Sequence, residues 1–172
     1  MAPEIKELNW RRHSRDVLQF QREIYETNFP GFKADERFLR DYGADIRRSL
    51  SIPSEGLFVL EEEGRACGFL WVSLISTLVD PCVGYIRNIY VAPELRGAGY
   101  GRQLLDLAES WCRRHGVDRI SLDASCCNQR AVSIYERCGF DVVRVRMEKC
   151  LEPDPWLEDE RVNMASSADP GL

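Results

Sequence analysis

Ile89-Tyr90-Val91-Ala92-Pro93-Glu94-Leu95-Arg96-Gly97-Ala98-Gly99-Tyr100-Gly101-Arg102-Gln103-Leu104-Leu105 is the stretch that decides the fold. Its first three residues close a β-branched and aromatic run that starts at Val83, and Pro93, with no N–H to give a ladder, ends that strand. From Gly101 to His115, Leu104, Leu105, Ala108, Trp111 and Cys112 share one helical face, with Arg102, Gln103, Asp106, Glu109 and Arg113 opposite. Between strand and helix, Gly97, Gly99 and Gly101 alternate with other residues. Backbone N–H groups in such a turn converge at the positive end of the helix and form an anion cradle. A β-carbon there would block close approach and penalise positive φ. A plain tight corner would use the same glycines. A triphosphate loop would need Gly-Lys-Ser/Thr where Gly101-Arg102-Gln103 stands, and a dinucleotide loop would need GxGxxG directly after its strand.

Working outward, residues 57–60 and 66–75 read as two strands of a hairpin turning at Glu63-Gly64, with Glu61-Glu62-Glu63 expected to be a solvated turn. Upstream, residues 5–8 suit an edge strand. A helix from about Ser14 follows, with Val17, Leu18, Gln21, Ile24 and Tyr25 as its stripe, and a second helix capped by Asp35 carries Phe38, Leu39, Tyr42, Ile46 and Leu50. Downstream, Gly116 can close the helix. Residues 119–124 alternate as a strand with Leu122 and Ala124 facing the core, 129–138 form a helix, and 140–151 form a last strand. The order predicts an α/β fold with a mixed sheet: N-terminal helices, a β-hairpin, then a β-α-β-α-β core with helices on both faces. Residues 1–152 make one domain, and the polar end, 153–172, reads as a flexible tail.

With 172 residues and a net charge of −5, the chain is long enough for one core and is not built to grip nucleic acid. No apolar run is long enough to span a membrane, and Met1-Ala2-Pro3-Glu4-Ile5-Lys6-Glu7 lacks a signal peptide's apolar centre, so a cytoplasmic location is expected. Seven cysteines lacking any CxxC pair, with only His13 and His115 beside them, point to buried reduced thiols and no metal site.

The quoted stretch resembles the first signature of the GNAT N-acetyltransferase family, whose core loop is Arg/Gln-x-x-Gly-x-Gly/Ala. Asn128-Gln129-Arg130-Ala131-Val132-Ser133-Ile134-Tyr135-Glu136-Arg137-Cys138-Gly139-Phe140 resembles its second, Asn-x-x-Ala-x-x-x-Tyr-x-x-x-Gly-Phe. The likeness covers roughly residues 57 to 151. It implies two parallel strands that splay apart to admit the pantetheine arm of acetyl-CoA against the backbone of Ile89, Tyr90 and Val91. It also implies a pyrophosphate site at Arg96, Gly97, Ala98, Gly99, Tyr100, Gly101 and Arg102, and an Asn128 hydrogen bond to pantetheine. Tyr135 would sit at the sulfur as the acid that protonates the leaving thiolate, a task a phenol that keeps its proton at neutral pH can perform.

The attacking amine must lose a proton, and Asp123 is the candidate base, since its place twelve residues before Tyr135 resembles the Glu–Tyr pair of acetyltransferases that modify ribosomal protein N-termini. A carboxylate that only orients the following turn remains the alternative. Tyr85, Arg87 and Asn88 are secondary candidates for the amine site, Cys126 and Cys127 are packing residues, and residues 25–32 and 78–85 shape the acceptor pocket. The expected activity is direct acetyl transfer from acetyl-CoA to a primary amine, either a protein N-terminus, which is favoured, or a small molecule, by a monomer or homodimer. The alternative is an acyl-CoA sensor without turnover.

Overall fold

The computed structural model describes residues 2–29, 31–76, 78, 82–125, 128–147 and 149. The chain divides into two compact units, Met1–Phe140 and Asp141–Leu172. The first contains β1 (Glu4–Glu7), α1 (Trp10–Asn28), α2 (Glu36–Ser49), β2 (Glu55–Glu62), β3 (Arg65–Ile75), β4 (Val83–Val91), a 3-10 turn (Pro93–Leu95), α3 (Tyr100–Arg114), β5 (Ile120–Leu122) and α4 (Gln129–Arg137). The strands lie in the order β1-β2-β3-β4-β5, antiparallel except for the parallel β4–β5 pair. No helix among the described residues is long and apolar enough to cross a membrane.

Local chemistry explains most of these boundaries. Asn9 and Asp35 accept from Arg12 N and Phe38 N as N-caps, so α1 starts four residues earlier than its apolar stripe suggests. The β2–β3 turn places Glu63 and Gly64 at φ 49° and 82°, the twist a two-residue hairpin requires. Alternation along β3 sends Phe69 and Trp71 to one core, with Val17, Phe20 and Ile46 of α1 and α2, and Leu70 and Val72 to another, with Leu104, Leu105, Ala108 and Trp111 of α3. The sheet is therefore covered by helices on both faces.

Four expectations need correction. Glu61 is not part of a solvated turn: it lies in β2 with 5% of its side chain exposed, accepting from Lys6 Nζ at 2.6 Å and Arg12 Nη1 at 3.3 Å and meeting His13 Nε2 at 2.8 Å. A carboxylate can be buried there because three donors converge on it. Strand β5 stops at Leu122, and Ala124 is exposed, because β4 and β5 pair only over three residues. Of the four described cysteines only Cys112 is buried, while Cys82 is exposed just before β4. Finally, residues 141–147 and 149 form no strand, and Val142, Val143, Val145 and Met147 are exposed. An alternating pattern becomes a strand only where a neighbouring edge accepts its hydrogen bonds, and the pattern alone does not supply one. Residues 148, 150 and 151 of that expected strand, and the proposed tail, lie outside the described residues.

Candidate active site

The site is built on β4, the strand whose two halves have different neighbours. Gly84, Tyr85 and Ile86 pair in parallel with Ile120, Ser121 and Leu122, and beyond them β4 runs on to Val91 without a parallel partner among the described residues. On its other side β4 stays paired with β3 to the end. Ala92 N donates to Cys67 O at 2.9 Å, so by the alternation of an antiparallel ladder Tyr90 bonds toward β3 while the backbone groups of Ile89 and Val91 point to the open edge. This is the splay that the family resemblance implied. Tyr90 itself belongs to the core: its ring stacks on Phe20 with centroids 4.4 Å apart and its hydroxyl donates to Glu23.

A one-residue register shift in β4, Trp71 opposite Asn88 and Val72 opposite Ile86, makes Arg87 the extra residue of a bulge. The bulge aims Arg87 and Asn88 to the same face. Arg87 Nε donates to Ser73 Oγ at 2.6 Å, with its guanidinium 5.3 Å from the Trp71 ring centroid, and Asn88 Nδ2 donates to the Tyr42 hydroxyl. Glu55 Oε2 accepts from Trp71 Nε1 at 2.6 Å and from Ser73 Oγ, and lies 3.8 Å from Arg87 Nε.

At the end of the open edge stands the glycine loop. Gly97 and Gly99 have φ of 87° and 89°, and a β-carbon built at Gly97, Gly99 or Gly101 would meet nothing within 4 Å. Gly99 caps α3 without any side-chain cap, so the N–H groups of the first helical turn have neither an intrahelical acceptor nor a capping oxygen. Open space before uncapped N–H groups fits a pyrophosphate. Arg96 is braced by its Nε bond to Val91 O at 2.9 Å and lies over Tyr90, whereas Arg102 pairs with Asp106 at 2.8 Å along the helix surface.

Two further groups flank the splay. The Tyr85 hydroxyl donates to Asp123 Oδ2 at 2.9 Å, and burial, followed by this bond, pushes the Tyr85 phenol up to about 12. Tyr135 packs with the α3-side core, edge-on to Phe140, and burial raises its pKa. Among the described residues no hydrogen bond joins Asp123 to Tyr135. Asn128 caps α4 through its side-chain oxygen, which accepts from Ala131 N, while its Nδ2 donates to Asn28 Oδ1 at 3.3 Å. Cys126 and Cys127 lie outside the described residues.

On the α1–α2 face, next to Tyr85 and Arg87, lies a cavity of about 450 Å³ walled by Tyr25, Phe38, Tyr42 and Trp71 and edged by Asp41 and Asp45. Sequence reasoning reached Tyr25, Tyr85, Arg87 and Asn88. It missed Phe38 and Tyr42 as wall residues, because their spacing matches an ordinary core stripe on α2; Tyr42 does pack against the core, and only the position of β3 shows that both rings also line the cavity.

The acetyltransferase (GNAT) family model matches residues 17–140, most of the chain. The chain belongs to the GNAT acetyltransferase family. A mycothiol acetyltransferase from Propionibacterium freudenreichii subsp. shermanii is 36% identical over 53% of this chain, which spans only 29% of that relative's length. A solved acetyl transferase from Pyrococcus furiosus is 28% identical with a TM-score of 0.68, over 86% of this chain and all of that one. An aminoglycoside N-acetyltransferase solved in complex with CoA reaches a TM-score of 0.65 at 22% identity over 86% of this chain and 94% of its own, a likeness of fold. The GNAT domain thus includes both helical layers, the splay and the glycine loop.

Proposed function

We propose that the chain transfers an acetyl group directly from acetyl-CoA to a primary amine, in the cytoplasm. The observation that carries this is the edge of β4 between residues 87 and 91 that no strand among the described residues pairs, which runs from the Tyr85–Asp123 pair to the uncapped glycine loop. The loop N–H groups and Arg96 hold the donor's pyrophosphate, and the backbone of Ile89 and Val91 satisfies the pantetheine amides. Each such amide would cost about 1–3 kcal/mol if desolvated without a partner. Amine nitrogen attacks the thioester carbonyl, the C–N bond forms and the C–S bond breaks. Asp123 takes the amine's proton, and Tyr135 gives its proton to the departing sulfur. The Tyr85 phenol, held protonated by its raised pKa, keeps Asp123 in place as a donor. The direct test is release of free thiol from acetyl-CoA with a panel of amines and peptides, with products identified by mass spectrometry. Acetylation of any amine supports the reading. Tight acetyl-CoA binding with no product from any amine overturns it in favour of a sensor.

A further inference from the structure

We propose that the acceptor amine carries a second positive charge, recognised by the ring-walled cavity on the α1–α2 face. This deepens the transfer reading above and rests on it. The cavity's size, about 450 Å³, suits a small molecule. Its walls are mutually packed rings: Tyr42 meets Tyr25 edge-on at 5.9 Å and Trp71 at 5.8 Å, and Tyr25 meets Phe38 at 4.8 Å. Ring faces attract an organic cation, and ring edges cover the methylenes between two amines.

The charges agree with the rings. Asp41 and Asp45, one helical turn apart on α2, edge the same cavity. Their own partners, Arg37 and Arg48, are largely exposed, and pairs of that kind bind weakly. Among the described residues the only cation in the wall is Arg87, which bonds to Ser73, lies 3.8 Å from Glu55 and sits on Trp71, so its charge is countered within the sheet. Asp123 adds a carboxylate at the Tyr85 end. An acceptor whose reacting amine lies at Tyr85–Asp123 and whose second ammonium lies among the rings at Asp41 and Asp45 satisfies both ends. A free carboxylate on the acceptor would meet the same carboxylates and be repelled. Linear diamines and diamino sugars share the required chemistry, whereas a peptide N-terminus brings one charge.

The experiment measures thiol release from acetyl-CoA with n-butylamine, 1,4-diaminobutane, spermidine, a diamino sugar and a short peptide amide. The expected kcat/KM for the best dication is about tenfold above that for n-butylamine, the size of one cation–π contact combined with a weak ion pair. That advantage shrinks as salt is raised. The Asp41→Asn/Asp45→Asn variant, checked for folding by circular dichroism, brings the dication-to-monoamine ratio toward one. If that variant fails to fold, the wild-type ratio and its salt dependence decide. The larger rate among spermidine, diaminobutane and the amino sugar identifies the source. A wild-type ratio near one, or a peptide preferred to every dication, overturns this proposal and leaves the transfer reading standing. No release with any amine overturns both.

Discussion

The proposed chemistry rests on two tyrosines held in different ways. Tyr135 is packed against Phe140 on the α3 side, with burial keeping its proton on, so Tyr135→Phe should lower kcat by about 10²-fold, as removal of a positioned acid does, while the Kd for acetyl-CoA stays within about twofold. Single-turnover rates and a binding titration separate the two, and an unchanged rate with a good acceptor removes Tyr135 from the mechanism. In that mechanism Tyr85 acts through Asp123, so Asp123→Asn should lower kcat/KM by about 10²-fold and Tyr85→Phe by less, measured as steady-state thiol release with one amine; an Asp123→Asn rate equal to the parent's would remove Asp123 as the base. The second signature made Tyr135 legible as a candidate, and the twelve-residue separation from it made Asp123 one. The Tyr85–Asp123 bond was not, because it depends on the parallel register of β4 against β5, which no local pattern encodes. Glu61 was misread for the same reason, since its three partners come from β1 and α1, more than 45 residues away in sequence.

At the level of elements, the bounds of β4 and the apolar face of α3 follow directly from the residues, since Pro93 and the glycines punctuate them and the period of each run is long enough to read. What the pattern cannot show is how closely the two elements approach. A β-carbon at Gly84 would lie 2.3 Å from the Sγ of Cys112 on α3. Gly84→Ala should therefore force the strand and helix apart and cost about 1–3 kcal/mol, the usual price of overpacking. Urea denaturation measures it, and adding Cys112→Ala should restore part of the loss, because the two residues share one contact. Gly99 gives the opposite case. Nothing crowds its missing β-carbon, but its φ of 89° strains any L-residue, so Gly99→Val should cost the fold about 1–2 kcal/mol. The same side chain fills the cradle and should weaken acetyl-CoA binding by far more than the stability loss implies. Equal affinity for the variant and the parent would remove the cradle from the binding site.

The N-terminal layer is joined to the sheet by ionisable groups, and this makes the stability of the Met1–Phe140 unit depend on pH. Lys6 of β1, with Arg12 and His13 of α1, converges on the Glu61 carboxylate of β2. Because Asn9 N donates to His13 Nδ1, the ring's Nε2 carries the hydrogen that Glu61 accepts. The Lys6 bond first, then the His13 bond, lowers the Glu61 pKa from 4.5 to about 2. Asp16 of α1 is also lowered, chiefly by its bond to Arg65 of β3. A depressed carboxylate pKa means that the unfolded chain takes up the proton first as pH falls. The stabilisation is then fully present above about pH 4.5 and is lost progressively as pH falls through that value toward 2. Tm should be nearly constant from pH 7 to 5 and then drop steeply. Glu61→Gln should lower Tm at pH 7 and flatten the slope between pH 4.5 and 2, because the group that takes up the proton is gone. The loss should begin locally, since the same bonds hold β1 and α1 on the sheet: amides of residues 4–7 should exchange with solvent at pH 3 before those of β3. If Glu61→Gln kept the parent's slope, the acid response would have to come from Asp16 and the α1–hairpin contact, and Asp16→Asn would then flatten it instead.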